Sequence, residues 1–112
     1  MSARRPLTEE EIRTLPLREL ALRLLAELDS VHPTGVGNAI SRVLNKLPSR
    51  PGAIRVGGRS WLSEPELTRL LGEAWDWLYI NGLTASEPTH PSTRFVTRFG
   101  GRVVADPTLL PE

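Results

Sequence analysis

The stretch from residue 67 to residue 100 reads LTRLLGEAWDWLYINGLTASEPTHPSTRFVTRFG. Its apolar residues first follow a helical pattern, which then gives way to an extended one. Up to Leu78 the apolar residues recur at helical spacing, which predicts a helix over residues 63–81 with Trp75 in the core. Gly82 can adopt the left-handed backbone conformation that often ends an α-helix. Two short extended runs then flank a tip rich in Pro, Ser and Thr, which predicts a β-hairpin over residues 83–97. A last helix is expected over residues 98–106.

Two amphipathic helices are predicted upstream, over residues 17–29 and 35–47, because leucine and other apolar residues again mark one face of each. Thr34 is expected to cap the second of these helices. Residues 48–60 read as a loop that contains one short strand at residues 53–56. The chain therefore predicts a mainly α fold with a small β-hairpin.

Two capping boxes mark where helices begin. Thr8 and Glu11 form the first box, with Leu7 and Ile12 as its hydrophobic staple. The second box is expected at the start of the long helix, from Ser63 and Glu66, with Leu62 and Leu67 as the matching staple. Residues 1–7 are interpreted as a tail, residues 8–106 as one domain, and residues 107–112 as a second tail or the start of a linker.

The end of the long helix and the return strand resemble the winged helix-turn-helix family, in particular MarR-like modules. Leu78, Gly82 and Leu83 match a pattern L-x-x-x-G-L, and the second half matches [apolar]-T-x-x-G at Val96, Thr97 and Gly100. The resemblance implies a DNA-binding, regulatory module. The same region also resembles the N-terminal part of Ymh-type uncharacterised bacterial proteins, which implies that the chain is a fragment preceding a further domain.

Composition removes several classes of function. The 112 residues contain no cysteine, which excludes disulfide scaffolds and thiol nucleophiles. The two histidines stand apart from other metal-ligand types, and no motif frames a catalytic serine or a phosphate-binding loop. We therefore predict no enzyme activity, no metal and no cofactor. No apolar run approaches the roughly 20 residues that span a membrane, so a cytoplasmic protein is expected.

Charge is distributed unevenly along the chain and favours duplex DNA as partner. Residues 35–62 carry a net charge of +5 with no acid, whereas residues 63–89 carry −4. An acid-free block of this kind is typical of a surface that contacts a polyanion. The predicted DNA-binding residues are Arg42, Lys46, Arg50, Arg55, Arg59, Arg69, Arg94 and Arg98.

Two features oppose a simple DNA interpretation. About fifteen residues join the second and third helices of the expected fold, where a helix-turn-helix uses about three or four. The presumed recognition helix also opens with Glu64 and Glu66, which would repel phosphate. The alternative is a winged helix used for protein–protein contact or homodimerisation, with a partner surface formed by Trp61, Trp77 and Tyr79.

Overall fold

The computed structural model describes residues 7–28, 32–48 and 60–110. In this part of the chain the helices are α1 (Glu9–Thr14), α2 (Leu17–Leu25), α3 (Val36–Asn45), α4 (Pro65–Ile80) and α5 (Arg98–Ala105). The strands are β1 (Thr34–Gly35), β2 (Thr84–Glu87) and β3 (His90–Val96), and a 3-10 turn follows at Pro107–Leu109. The predicted mainly α fold with a small β-hairpin is confirmed at this level.

The three strands form one antiparallel sheet with the order β1-β3-β2. In the hairpin Thr84 pairs with Val96 and Ala85 with Phe95. On the other edge of β3, Thr34 pairs with Arg94. The short strand β1 was not expected from the sequence, because two residues carry no alternating pattern and only β3 supplies their hydrogen-bonding partner.

Helices α2, α3 and α4 bury their predicted apolar faces in one core. Leu24, Leu44 and Leu71 are completely buried, and Trp75 is buried as expected at 4% exposure. The apolar stripes that predicted the three helices are therefore the faces that pack together. Transfer of these side chains out of water is the main force that holds the helices together, at about 1.5–3 kcal/mol for each large apolar side chain.

The turn from α4 into the hairpin is set by Gly82. Gly82 has φ of +79°, a left-handed conformation that favours glycine. Its amide donates to the carbonyl of Tyr79 at 3.1 Å, and the amide of Leu83 donates to that of Leu78 at 2.9 Å. These two bonds form a Schellman motif and bring Leu83 back onto the core, where it is fully buried.

The start of α5 is tied to this same turn. The hydroxyl of Thr97 donates to the carbonyl of Gly82 at 2.7 Å and accepts from the amide of Gly100 at 2.9 Å, which caps the helix. A Cβ at Gly100 would lie 2.2 Å from the carbonyl oxygen of Leu83. Only glycine fits this close approach, so Gly100 has a packing reason that is independent of the cap at Thr97.

The first capping box is confirmed, and the second is wrong. The amide of Glu11 donates to Thr8 Oγ1, and the amide of Thr8 donates to Glu11 Oε1, both at 3.1 Å. At α4 the N-cap is Glu64, with no side-chain cap. The hydroxyl of Ser63 donates to the carbonyl of Ser60 instead, in the preceding turn.

Two further expectations near helix ends are corrected. Leu62 is 73% exposed, so it forms no buried staple with Leu67. Thr34 does not cap α3, because it lies in β1 and Gly35 is the N-cap. Of residues 107–110, Leu110 is buried at 6% exposure, and its carbonyl accepts from Arg18 at 3.1 Å. The predicted strand at residues 53–56 lies outside the described residues.

Candidate interaction surface

The cations predicted to bind DNA are not gathered into one patch. Arg50, Arg55 and Arg59 lie outside the described residues. Of the other five, Lys46 is the C-cap of α3, and the rest are on α3, α4, β3 and α5. Their individual environments decide which of them are available to a polyanion.

Arg42 of α3 and Lys46, the C-cap residue of that helix, face Glu27, just beyond the end of α2. Lys46 forms an ion pair with the carboxylate of Glu27. Arg42 donates to the carbonyl of Glu27 at 3.1 Å. A cation near a helix C-terminus is favourable because the unsatisfied carbonyls there carry partial negative charge. These two residues therefore help to hold α3 against α2, and Glu27 offsets part of their charge.

Arg94 joins the hairpin to α4. Its guanidinium donates to the carbonyl of Trp75 at 3.2 Å and to the carboxylate of Asp76 at 3.3 Å. The same group stacks 4.4 Å from the ring centroid of Tyr79 and 5.2 Å from that of Trp75. The side chain is only 21% exposed. Arg94 thus has an intramolecular role and is poorly placed to contact phosphate.

Arg69 and Arg98 are exposed, and the side chain of neither forms a hydrogen bond or ion pair within the part of the chain that the structure describes. Arg69 lies in the second turn of α4. Arg98 begins α5, which is tied to Gly82 beyond the other end of α4. Thirteen residues separate Arg69 from Gly82, which is about 20 Å along a helix. The two free arginines therefore belong to different parts of the surface.

The outer surface of α4 is acidic. Its exposed residues include three carboxylates, on Glu66, Glu73 and Asp76, against one cation, on Arg69. Glu66 pairs with Arg13 at 2.6 Å, and Asp76 pairs with Arg94. A recognition helix places its outer surface in the major groove, between two rows of phosphates, and reads base edges there. The acidic outer surface of α4 would be repelled by those phosphates.

Trp61 connects α3 to α4 and remains 45% exposed. Its amide donates to Ser41 Oγ at 3.1 Å, and its carbonyl accepts from Thr68 Oγ1 at 2.8 Å. The indole lies over Gly37, where an added Cβ would be 2.7 Å from the ring nitrogen. The glycine in the first turn of α3 thus makes room for the tryptophan.

Of the other two aromatic candidates, Tyr79 is exposed and Trp77 is not. Tyr79 is 45% exposed and is held by the guanidinium of Arg94. Trp77 is partly buried and packs against the core. Thr68, which holds Trp61, precedes Tyr79 by eleven residues, or about three helical turns. Trp61 and Tyr79 therefore lie along one side of α4.

Two apolar residues that were not predicted as site residues are the most exposed large hydrophobic side chains among those described. Leu62 precedes α4 and is 73% exposed; Ile80 ends α4 and is 79% exposed. The sequence pattern predicts a hydrophobic staple at Leu62 and therefore does not predict its exposure. Ile80 lies on the helix face opposite the buried stripe, and this position indicates from the sequence alone that its side chain is exposed.

A separate, mostly apolar groove of about 420 Å³ lies between α2 and α5. It is lined by Leu15, Glu19, Leu22, Arg23, Val103, Val104 and Pro107.

Among residues 7–28, 32–48 and 60–110, no three His, Asp or Glu side chains are grouped to hold a metal ion. No helix in these ranges is long and apolar enough to cross a bilayer.

Comparison with family models, with curated proteins and with solved structures found no significant match to this chain. The interpretation of its surface therefore rests on the geometry above.

Proposed function

We propose that this chain is a winged-helix module that binds protein through the outer surface of α4. The order helix, strand, helix, helix, strand, strand from α2 to β3 supports the winged-helix assignment, as does the sheet order β1-β3-β2. The tie between Gly82, Thr97 and Gly100 gives a physical reason for the residues that carry the resemblance.

The observation that carries the protein-binding function is the composition of this surface. The two most exposed large apolar side chains of the described part, Leu62 and Ile80, stand at the two ends of an acidic helix face. Each of them is adjacent in sequence to an exposed aromatic residue, Trp61 or Tyr79, and aromatic side chains are enriched at protein contact surfaces. Tyr79 adds an aromatic residue held in place by Arg94, and Tyr and Arg are frequent among residues that dominate binding energy.

The test is photo-crosslinking of the full chain in the cells that naturally produce it. The photoreactive amino acid p-benzoylphenylalanine is placed at position 62 or 80, with position 101 as control. Gly101 is exposed on α5, and an added Cβ there meets nothing within 4 Å. Crosslinked protein adducts are expected from positions 62 and 80 and not from position 101. The absence of adducts from both position 62 and position 80 would overturn the proposal.

DNA binding is a second candidate, favoured by the net charge of +5 over residues 35–62 and by the exposed, unpaired Arg98. Its contacts would be to phosphate, outside the face of α4. Fluorescence anisotropy with a random-sequence duplex tests it, because log K falls with log salt by about 0.9 per phosphate contact. If this candidate is right, Arg98→Ala lowers the slope by about one. If the chain binds protein and not DNA, no duplex binding is expected at about 50–200 mM salt. This is the range over which the salt dependence of phosphate contacts is measured.

A further inference from the structure

The outer face of α4 carries a charge pattern that is complementary to itself. Arg69, Glu73, Asp76 and Ile80 are spaced by four, three and four residues, so they lie on one face of the helix. Arg69 is in the N-terminal half, whereas Asp76 is in the C-terminal half. Two such helices that run antiparallel bring opposite charges together at both ends of the contact.

We infer that the partner of this surface is a second copy of the chain, bound through antiparallel α4 helices about a two-fold axis between Gly72 and Glu73. This inference rests on the proposed protein-binding function of the same surface. A two-fold contact uses one patch on both subunits, so each pairing occurs twice. With the axis at this point, Arg69 faces Asp76 of the other copy and lies within one turn of its Glu73. The two Glu73 carboxylates flank the axis, and their mutual repulsion is offset by the two Arg69 side chains.

The ends of the helix pair as well. The same axis places Ile80 of one copy at the level of Pro65 of the other, next to Leu62. The two most exposed large apolar side chains of the described part would then cover each other. A monomer leaves both in water, and their removal from water favours association.

Gly72 allows the two helices to approach closely at the axis. A Cβ built on Gly72 meets no atom within 4 Å, so the surface beside it is open in the monomer. Asp76 is accessible although it pairs with Arg94, because its side chain is 66% exposed. The charge of Glu66 is already offset by Arg13, which limits repulsion at the outer ends of the contact.

Site-specific crosslinking tests this arrangement, because the chain contains no cysteine. Gly72→Cys places a thiol at the proposed axis, and Gly101→Cys is the matched control. Both glycines are in helices, and neither position has an atom within 4 Å of the added Cβ. Under mild oxidation of the purified chain, Gly72→Cys is expected to form disulfide-linked dimers at least about tenfold faster than Gly101→Cys does. The reason is that association at the proposed axis raises the effective concentration of the thiol pair.

A second variant tests the apolar ends of the contact. Ile80→Asp changes a side chain that is 79% exposed, so folding is expected to be retained. In sedimentation equilibrium the wild-type chain should dimerise, and Ile80→Asp should weaken dimerisation about tenfold. Equal crosslinking of Gly72→Cys and Gly101→Cys, or a wild-type chain that stays monomeric, would refute the two-fold contact.

These results are distinguishable from failure of the proposed function. If the purified chain stays monomeric while positions 62 and 80 give crosslinked adducts in cells, the partner is another protein and the protein-binding function stands. If those adducts are absent too, both the dimer and the protein-binding function are wrong.

Discussion

Replacement of Gly100 by alanine should destabilise the protein, although alanine is the better helix former. The new methyl group would lie 2.2 Å from the carbonyl oxygen of Leu83 and 3.0 Å from Val96 Cγ1. That carbonyl also accepts from the amide of Thr97 at 3.0 Å, so it cannot move aside without loss of the bond. Overpacking costs about 1–3 kcal/mol, a lost hydrogen bond about 1 kcal/mol, and alanine returns about 1 kcal/mol of helix propensity. The expected net loss is about 2 kcal/mol.

Urea unfolding followed by tryptophan fluorescence measures this loss. With a slope of about 2 kcal/mol per molar urea, the midpoint should fall by about 1 M. Gly101→Ala is the control, because its Cβ meets nothing within 4 Å, and it should stabilise by up to about 1 kcal/mol. A midpoint for Gly100→Ala that equals or exceeds the wild-type value would refute the proposed contact with Leu83.

Three other substitutions test the turn, the sheet and the exposed end of α4. Thr97→Val removes the hydroxyl that bonds to Gly82 and Gly100 and should cost about 1–2 kcal/mol in urea unfolding, whereas Thr97→Ser should stay within about 0.5 kcal/mol. Thr84 is buried, and its hydroxyl has no hydrogen-bond partner in the described part of the chain. Thr84→Val should therefore raise Tm by about 4 °C, and an unchanged or lower Tm would contradict this. Ile80→Arg places a cation at the C-terminus of α4 and should stabilise the monomer by about 0.3–1 kcal/mol while it weakens dimerisation; sedimentation and unfolding together distinguish the two effects.

The helices were predictable because each depends on a local pattern. The leucine stripes identified α2, α3 and α4, and Gly82 identified the end of α4. Strand β1 was not predictable, since its two residues are extended only because β3 pairs with them. The second capping box failed for a similar reason: Ser63 forms a turn with Ser60, and this competes with a cap at α4.

The candidate site was less predictable than the fold, because the net charge of a segment of sequence does not show which charges are paired in the folded chain. Ion pairs form between residues that are distant in sequence. Arg94 meets Asp76 across 18 residues, and Arg13 meets Glu66 across 53. Each of these pairs offsets a charge that a count along the sequence treats as uncompensated, even where the carboxylate stays accessible, as at Asp76. Net charge over a segment therefore overestimates the field at the surface where the partners have already met.

The exposure of Ile80 is the feature that stability alone does not explain. At the last turn of a helix a cation is favourable, yet α4 has no basic residue in its last turn. An isoleucine there is β-branched, is 79% exposed and gains little from the helix. Leu62 at the opposite end is similarly placed, because its side chain is 73% exposed. Neither residue gains much from burial in the monomer, and the proposed antiparallel α4 contact would supply that burial for both.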